Sequence, residues 1–206
     1  MTDEMDGKDL AERVRLIESM MAEGRRRTAR WGWTFVLWGV AYLVATAWAS
    51  GLVGGPVWAQ HLLAWPVMMI AASIVTGVGI SRMKKGQPAT TLGRAIGATW
   101  AAMGISLFIV LLALGLSGRY DLHVFVAIIG GMLSVANMTS AIMLQWKMQF
   151  VCAMVWLGSA VGACFGTLNQ AGIAFLAATF FCQIVFGIYA IILESQRRRQ
   201  SGVVHA

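Results

Sequence analysis

Charge is what this sequence has least of. Between Trp31 and Leu193 only seven positions carry Asp, Glu, Lys or Arg: Arg82, Lys84, Lys85, Arg94, Arg119, Asp121 and Lys147. Ion-coupled pumps and proton relays place such groups, or histidine, inside the bilayer. A core without them argues against that class. Cysteine is scarce as well: Cys152, Cys164 and Cys182, an odd number read as lying at different depths, suggest neither a disulfide framework nor a zinc site. No Ser/His/Asp or Cys/His set stands out, and the acids Asp121 and Glu194 belong to opposite membrane faces. The chain therefore reads as non-enzymatic, with no cofactor. Proline is rare too, and of the three only Pro66 falls in an apolar run. There its missing N–H should break or bend a helix.

What is present is apolar. Of 206 residues, 58% are hydrophobic, and the mean hydropathy is +0.70. The charges leave four uncharged runs, 31–81, 95–118, 122–146 and 148–193. About 20 apolar residues span the hydrocarbon core as a helix, so the outer runs hold two spans each and the inner runs one each. The expectation is an all-α polytopic membrane protein with six transmembrane helices, near 31–51, 58–80, 95–117, 122–145, 149–167 and 171–193. Short connections on one side would group them as three hairpins. Around this 31–193 domain lie an acidic amphipathic segment with a basic collar, 1–30, and a basic tail, 194–206. The odd spans share weakly similar stretches, such as Val36-Leu37-Trp38-Gly39 and Val155-Trp156-Leu157-Gly158, a faint hint of internal repetition.

The formal charge of +7 is sided. All Lys and Arg except Arg119 fall before the first span, in the 82–94 loop, at Lys147 or in the C-terminal arginines. Lys and Arg collect on cytoplasmic loops. The expectation is a multi-pass protein of the inner (plasma) membrane with both termini cytoplasmic. Its positive charge serves topology and membrane lipid, not nucleic acid.

In the first segment Leu10, Val14, Ile17 and Met21 repeat at spacings of 4, 3 and 4, which sets them on one helical stripe. A free-standing coiled coil needs more than two heptads, so this stripe needs a surface. That surface is the membrane interface, the protein's own inner face or a partner; net acidity disfavours anionic lipid and favours docking on protein. The partners expected for the chain as a whole are membrane lipid and either a homo-oligomer or a protein partner on the cytoplasmic side.

Three sets of residues carry the remaining hypotheses. Gly158, Gly162 and Gly166 at four-residue spacing allow close helix approach, within the bundle or at a subunit interface. Ser73, Thr76, Asn137, Thr179 and Gln183 lie at comparable depth on the even spans. They serve either interhelical hydrogen bonding or a neutral solute-facing pocket. At the outer rim His61, Asp121 and His123 are weak metal candidates; histidines bonded to a neighbour or to water are the plainer reading. The thirteen methionines do not converge at one depth, so they read as adaptable packing.

An amphipathic N-terminal helix, six spans, cytoplasmic ends and a basic first inner loop together resemble, in layout, the permease subunit of an export ABC transporter. The resemblance implies a separate ATPase docking on 81–94. The chain is short for that family, and its 168–171 turn leaves no room for a re-entrant segment. The leading expectation is a small non-enzymatic subunit or regulatory partner of a membrane complex. The alternatives are a facilitative transporter or channel for a neutral or apolar solute, and a permease-like subunit.

Overall fold

The computed structural model describes residues 31–83, 91–119 and 121–203, together with 10, 12–16, 18–19 and 22 of the first segment. Ile17 and Met21 of the expected stripe lie outside the described residues, as do most of the basic collar and the 84–90 loop. All regular structure among the described residues is helical: α1 (Gly32–Ala49), α2 (Val57–Leu62), α3 (Ala64–Met83), α4 (Thr91–Leu116), α5 (Leu122–Leu144), α6 (Lys147–Phe165), α7 (Leu168–Thr179), a π-helical turn (Phe180–Val185) and α8 (Phe186–Val203). Six helices are long and apolar enough to cross a membrane; α7, the π turn and the first part of α8 form the last of them. The chain is a multi-pass membrane protein.

Local chemistry sets the helix ends. The second apolar run is interrupted at Leu63, and Pro66 enters three residues later with no N–H to give to Leu62. Asp121 caps α5 by accepting the backbone N–H of His123 at 2.9 Å. Gln145, with φ at 49°, closes α5 in the left-handed region, and α6 starts two residues on. Thr167 and Gln170 form a reciprocal capping box, so α7 starts at Leu168, three residues before the expected 171. At the other terminus α8 continues to Val203, well into the stretch expected as a separate tail.

The spans pack unequally. The most extensive contact is that of α5 with α6, where a Cβ added to Gly130 would sit 2.9 Å from the Trp156 carbonyl. Helix α1 packs on α3, on the π turn and on α8. At its crossing with α8, Gly32 and Gly187 meet backbone to backbone: a Cβ on either would lie within 2.9 Å of the other's carbonyl oxygen. Small residues permit such approach where no hydrophobic force drives helices together. By contrast α4 buries only Ile96 and Leu107 along its length. It is held through α5, partly by Trp100 donating its indole N–H to the Ser140 hydroxyl at 3.0 Å.

Aromatic side chains form two groups at different depths. The basic end of the bundle, where Arg82, Arg94 and Lys147 lie, holds Phe35, Trp100, Trp146 and Phe186, with ring centroids 5.1–5.6 Å apart along the chain of contacts. Toward the far end, Tyr42, Trp65, Phe125, Trp156 and Phe175 make a second group, closest at 4.6 Å between Trp65 and Phe125. Offset and edge contacts of this kind add about 0.5–1.5 kcal/mol per pair beyond burial.

Candidate functional site

From between these aromatic groups into the far one, the buried faces of α5, α6 and α7 carry polar side chains whose hydrogen-bonding capacity is only partly used. On α6 the buried residues Gln149, Cys152, Ala153, Trp156, Ser159, Ala160 and Ala163 form a single stripe. Three of them have polar atoms without a hydrogen-bond partner: both ends of the Gln149 amide, the Trp156 indole N–H and the Ser159 hydroxyl. On α5, Asn137 is 1% exposed; its amide N–H bonds the Leu133 carbonyl at 2.8 Å, and its Oδ1 has no partner. On α7 the fully buried Thr179 hydroxyl has none either.

Helix register places these groups along one seam. Gly130 touches Trp156 and Ala160 across the antiparallel α5–α6 contact. A heptad is about two turns, so seven residues along α5 bring Asn137 opposite Gln149 and Ala153. The Cys182 thiol, in the π turn, donates to the Cys152 carbonyl at 3.6 Å, which sets α6 against the last span at the same level. Gln183, 2% exposed, follows directly, and Gly39 of α1 presses against it. From Gln149 to Ser159 the seam runs roughly 15 Å along the helix axis, about half the hydrocarbon core. Buried polar groups in protein interiors are nearly always paired, and each unpaired one costs about 1–3 kcal/mol. Five side chains with such groups on adjoining helix faces are therefore a concentrated cost.

The sequence candidates divide accordingly. Asn137, Thr179 and Gln183 are buried in this region. Thr76 instead accepts the Trp38 indole N–H at 3.2 Å, joining α1 to α3. Ser73 is exposed and bonds the Met69 carbonyl of its own helix at 2.8 Å. Gln149, Ser159 and Trp156 were not anticipated. Gln149 sits at a span end, where a polar residue looks interfacial; its heptad spacing to Trp156 and Ala163 is the signal that would have placed it inward.

Gly158 and Gly162 face open space, with no atom within 4 Å of an added Cβ, whereas Gly166 is the C-cap of α6. Leu10 and Val14 are exposed, at 64% and 47%. The cysteines do not all differ in depth, as Cys152 and Cys182 meet. Both are buried, while Cys164 is exposed. N-ethylmaleimide should therefore modify Cys164 well ahead of Cys152 and Cys182 in the folded protein, and all three alike after denaturation; mass spectrometry of the peptides over time reads the order.

At the far rim the His123 ring lies 3.1 Å from Asp121 Oδ1 and 3.2 Å from the Gly166 carbonyl. The His61 side chain lies outside the described residues, and no cluster of three metal-ligating side chains occurs among the described residues. Bonds from the His123 backbone N–H and then its ring hold the Asp121 carboxyl below the usual carboxylate range. A depressed folded-state value means that the cap's contribution is present above the unfolded value and lost as pH falls through the folded one.

Between α4 and α5 a lateral groove of about 390 Å³ is lined by Thr99, Ala102, Met103, Ser106, Gly131 and Val135. It opens sideways, away from the seam. Compared with known protein families, curated proteins and solved structures, the chain matches none.

Proposed function

We propose that this protein is a non-enzymatic inner-membrane protein that admits a small uncharged, hydrogen-bonding solute into the seam between α5, α6 and α7. The observation that carries the reading is the set of unpaired polar atoms at Asn137, Gln149, Trp156, Ser159 and Thr179. Together they offer donors and acceptors without formal charge. A guest that both donates and accepts would offset their burial, whereas an ion would find no countercharge among them. Topology follows the basic end: Arg82, Arg94, Lys147 and the C-terminal arginines face the cytoplasm by the rule that governs Lys and Arg, with three hairpins joined on that side. The far-end aromatic group then closes the outer half of the bundle. In proteoliposomes, stopped-flow permeability to a panel of small uncharged solutes such as urea and glycerol should exceed that of empty vesicles for at least one member. Equality across the panel would remove this reading.

A second reading is a subunit or regulatory partner, with or without a separate ATPase, and a specific observation favours it. Leu10 and Val14 lie exposed on a charged helical segment, and the Gly158–Gly162 face of α6 is open. Affinity purification from native membranes tests it. A stoichiometric partner lost on deleting residues 1–24 supports the subunit role, while a chain recovered alone or only with itself counts against a partner.

A further inference from the structure

The far rim joins two helix caps through one ring. His123 stands at the start of α5, and both of its ring nitrogens face acceptors: Nδ1 the Asp121 carboxylate at 3.1 Å, Nε2 the Gly166 carbonyl at 3.2 Å. A neutral imidazole has a single N–H and donates to one acceptor only; an imidazolium donates to both. In the neutral ring with its proton on Nε2, the Nδ1 lone pair would face a carboxylate. Gly166 is the C-cap of α6, so the ring also lies at the negative end of that helix, where a cation is favoured. Only the charged ring can donate to the carboxylate and to the carbonyl at once.

We infer that His123 is a proton-operated latch, tying the start of α5 to the turn between α6 and α7 when the ring is charged and slackening when it is neutral. Asp121 is the ionisable group in contact with the ring. Arg119 is in the adjoining turn; in the turn between α6 and α7 Gly166, Thr167, Leu168, Asn169 and Gln170 do not titrate, while Tyr120 and the His61 side chain lie outside the described residues. The sign follows from the geometry. Protonation closes the latch, so both contacts are held while the ring is charged and one is lost when it is neutral. Its consequence for function rests on the solute reading: α5 and α6 flank the seam, so external acidity would hold its far end shut.

The test reads the contact itself. Hydrogen exchange of the full-length protein in nanodiscs, followed on the peptide covering 163–172 and corrected for intrinsic rates, is compared at about pH 5 and about pH 8, the window in which histidine changes charge. The expected result is roughly tenfold less protection at the higher pH, the scale of one charge-assisted hydrogen bond. His123→Gln keeps one donor toward Gly166 without a titrating ring, and should flatten the response. Asp121→Asn keeps an N-cap acceptor without the charge, and should shrink it. Exchange in 147–158 serves as a folding control and rescues the test should one variant be disordered. A flat wild-type response, or a wild-type response surviving in His123→Gln, overturns the latch. Solute flux plays no part in this readout, so failure of the latch and failure of the solute reading are separately visible.

Discussion

Replacing Asn137 with leucine should make the protein more stable and end solute passage. Asn137 Oδ1 is buried without a partner, and the amide N–H bonds the Leu133 carbonyl a turn back on its own helix. A bond of that kind competes with the helix's own ladder and adds little to stability. Leucine is close in volume, keeps the α5 face filled and leaves no orphaned oxygen. Relief of one unpaired group is worth about 1–3 kcal/mol, which for a chain of this size raises the thermal midpoint by about 2–4 °C per kcal/mol. Gln149→Met should behave likewise, since both ends of that amide are unpaired in a fully buried position. The paired outcome matters more than either half. Polar groups kept for folding would give loss of stability on replacement. Groups kept for a guest give higher stability with permeability reduced to the empty-vesicle level, the exchange of stability for activity expected at a functional site. Differential scanning fluorimetry and the permeability assay, run on the same preparations, separate the two.

The second large effect concerns glycine. Gly130→Leu should prevent folding of the bundle, while Gly158→Leu and Gly162→Leu should leave the monomer intact. At Gly130 an added Cβ meets the Trp156 carbonyl at 2.9 Å and the Ala160 backbone N–H nitrogen at 3.1 Å, both backbone atoms that cannot swing aside. Overpacking of this kind costs about 1–3 kcal/mol for small insertions and more for a whole isobutyl group. The α5–α6 contact is the most extensive in the structure, so its separation would disrupt the seam as well. At Gly158 and Gly162 the added atoms meet nothing within 4 Å, and exposed substitutions of this type stay within about 0.5 kcal/mol. Circular dichroism and unfolding in a gentle detergent measure the contrast. Gel filtration with light scattering on the Gly158 and Gly162 variants adds the subunit question: a shift to smaller particles at unchanged monomer stability would assign that open face to association.

The membrane class and the six spans were legible in the sequence, because hydrocarbon excludes charge and seven charged residues mark the boundaries almost unaided. Helix ends were less so. Pro66 signals an interruption in the second run, but the Thr167–Gln170 capping box is divided between the end of the expected 149–167 span and the turn after it, although its residues and spacing are those of a helix start. For Asn137, Thr179 and Gln183, depth counting predicted burial correctly, since polar groups turn away from lipid. Depth counting failed for Thr76 and Ser73. Whether a hydroxyl meets a neighbouring indole, its own helix or the interior depends on rotation of the helix about its axis, and uniformly apolar spans leave that rotation unmarked. The same ambiguity hid the close glycines. The regular Gly158–Gly162–Gly166 row attracts notice, yet the bundle closes on Gly130, the first of an adjacent pair, and on Gly32 with Gly187. The π turn at Phe180–Val185 also had no signal in composition or spacing.

The central claim is that a polar guest reaches a seam otherwise sealed by aromatic groups. Site-directed accessibility tests it most directly. In a chain whose three native cysteines are replaced by alanine, Ala153→Cys places a thiol beside Asn137 and Gln149, and Val126→Cys places one on the same buried face of α5 near its far end. A small uncharged, hydroxylated methanethiosulfonate reagent, too polar to cross lipid on its own, is added to right-side-out and inside-out vesicles in turn. The account predicts modification at 153 from the cytoplasmic side, slowed by the permeant solute, and none at 126 from that side. Equal inertness of both positions, from both sides, would mean a seam that stays dry and would contradict the account.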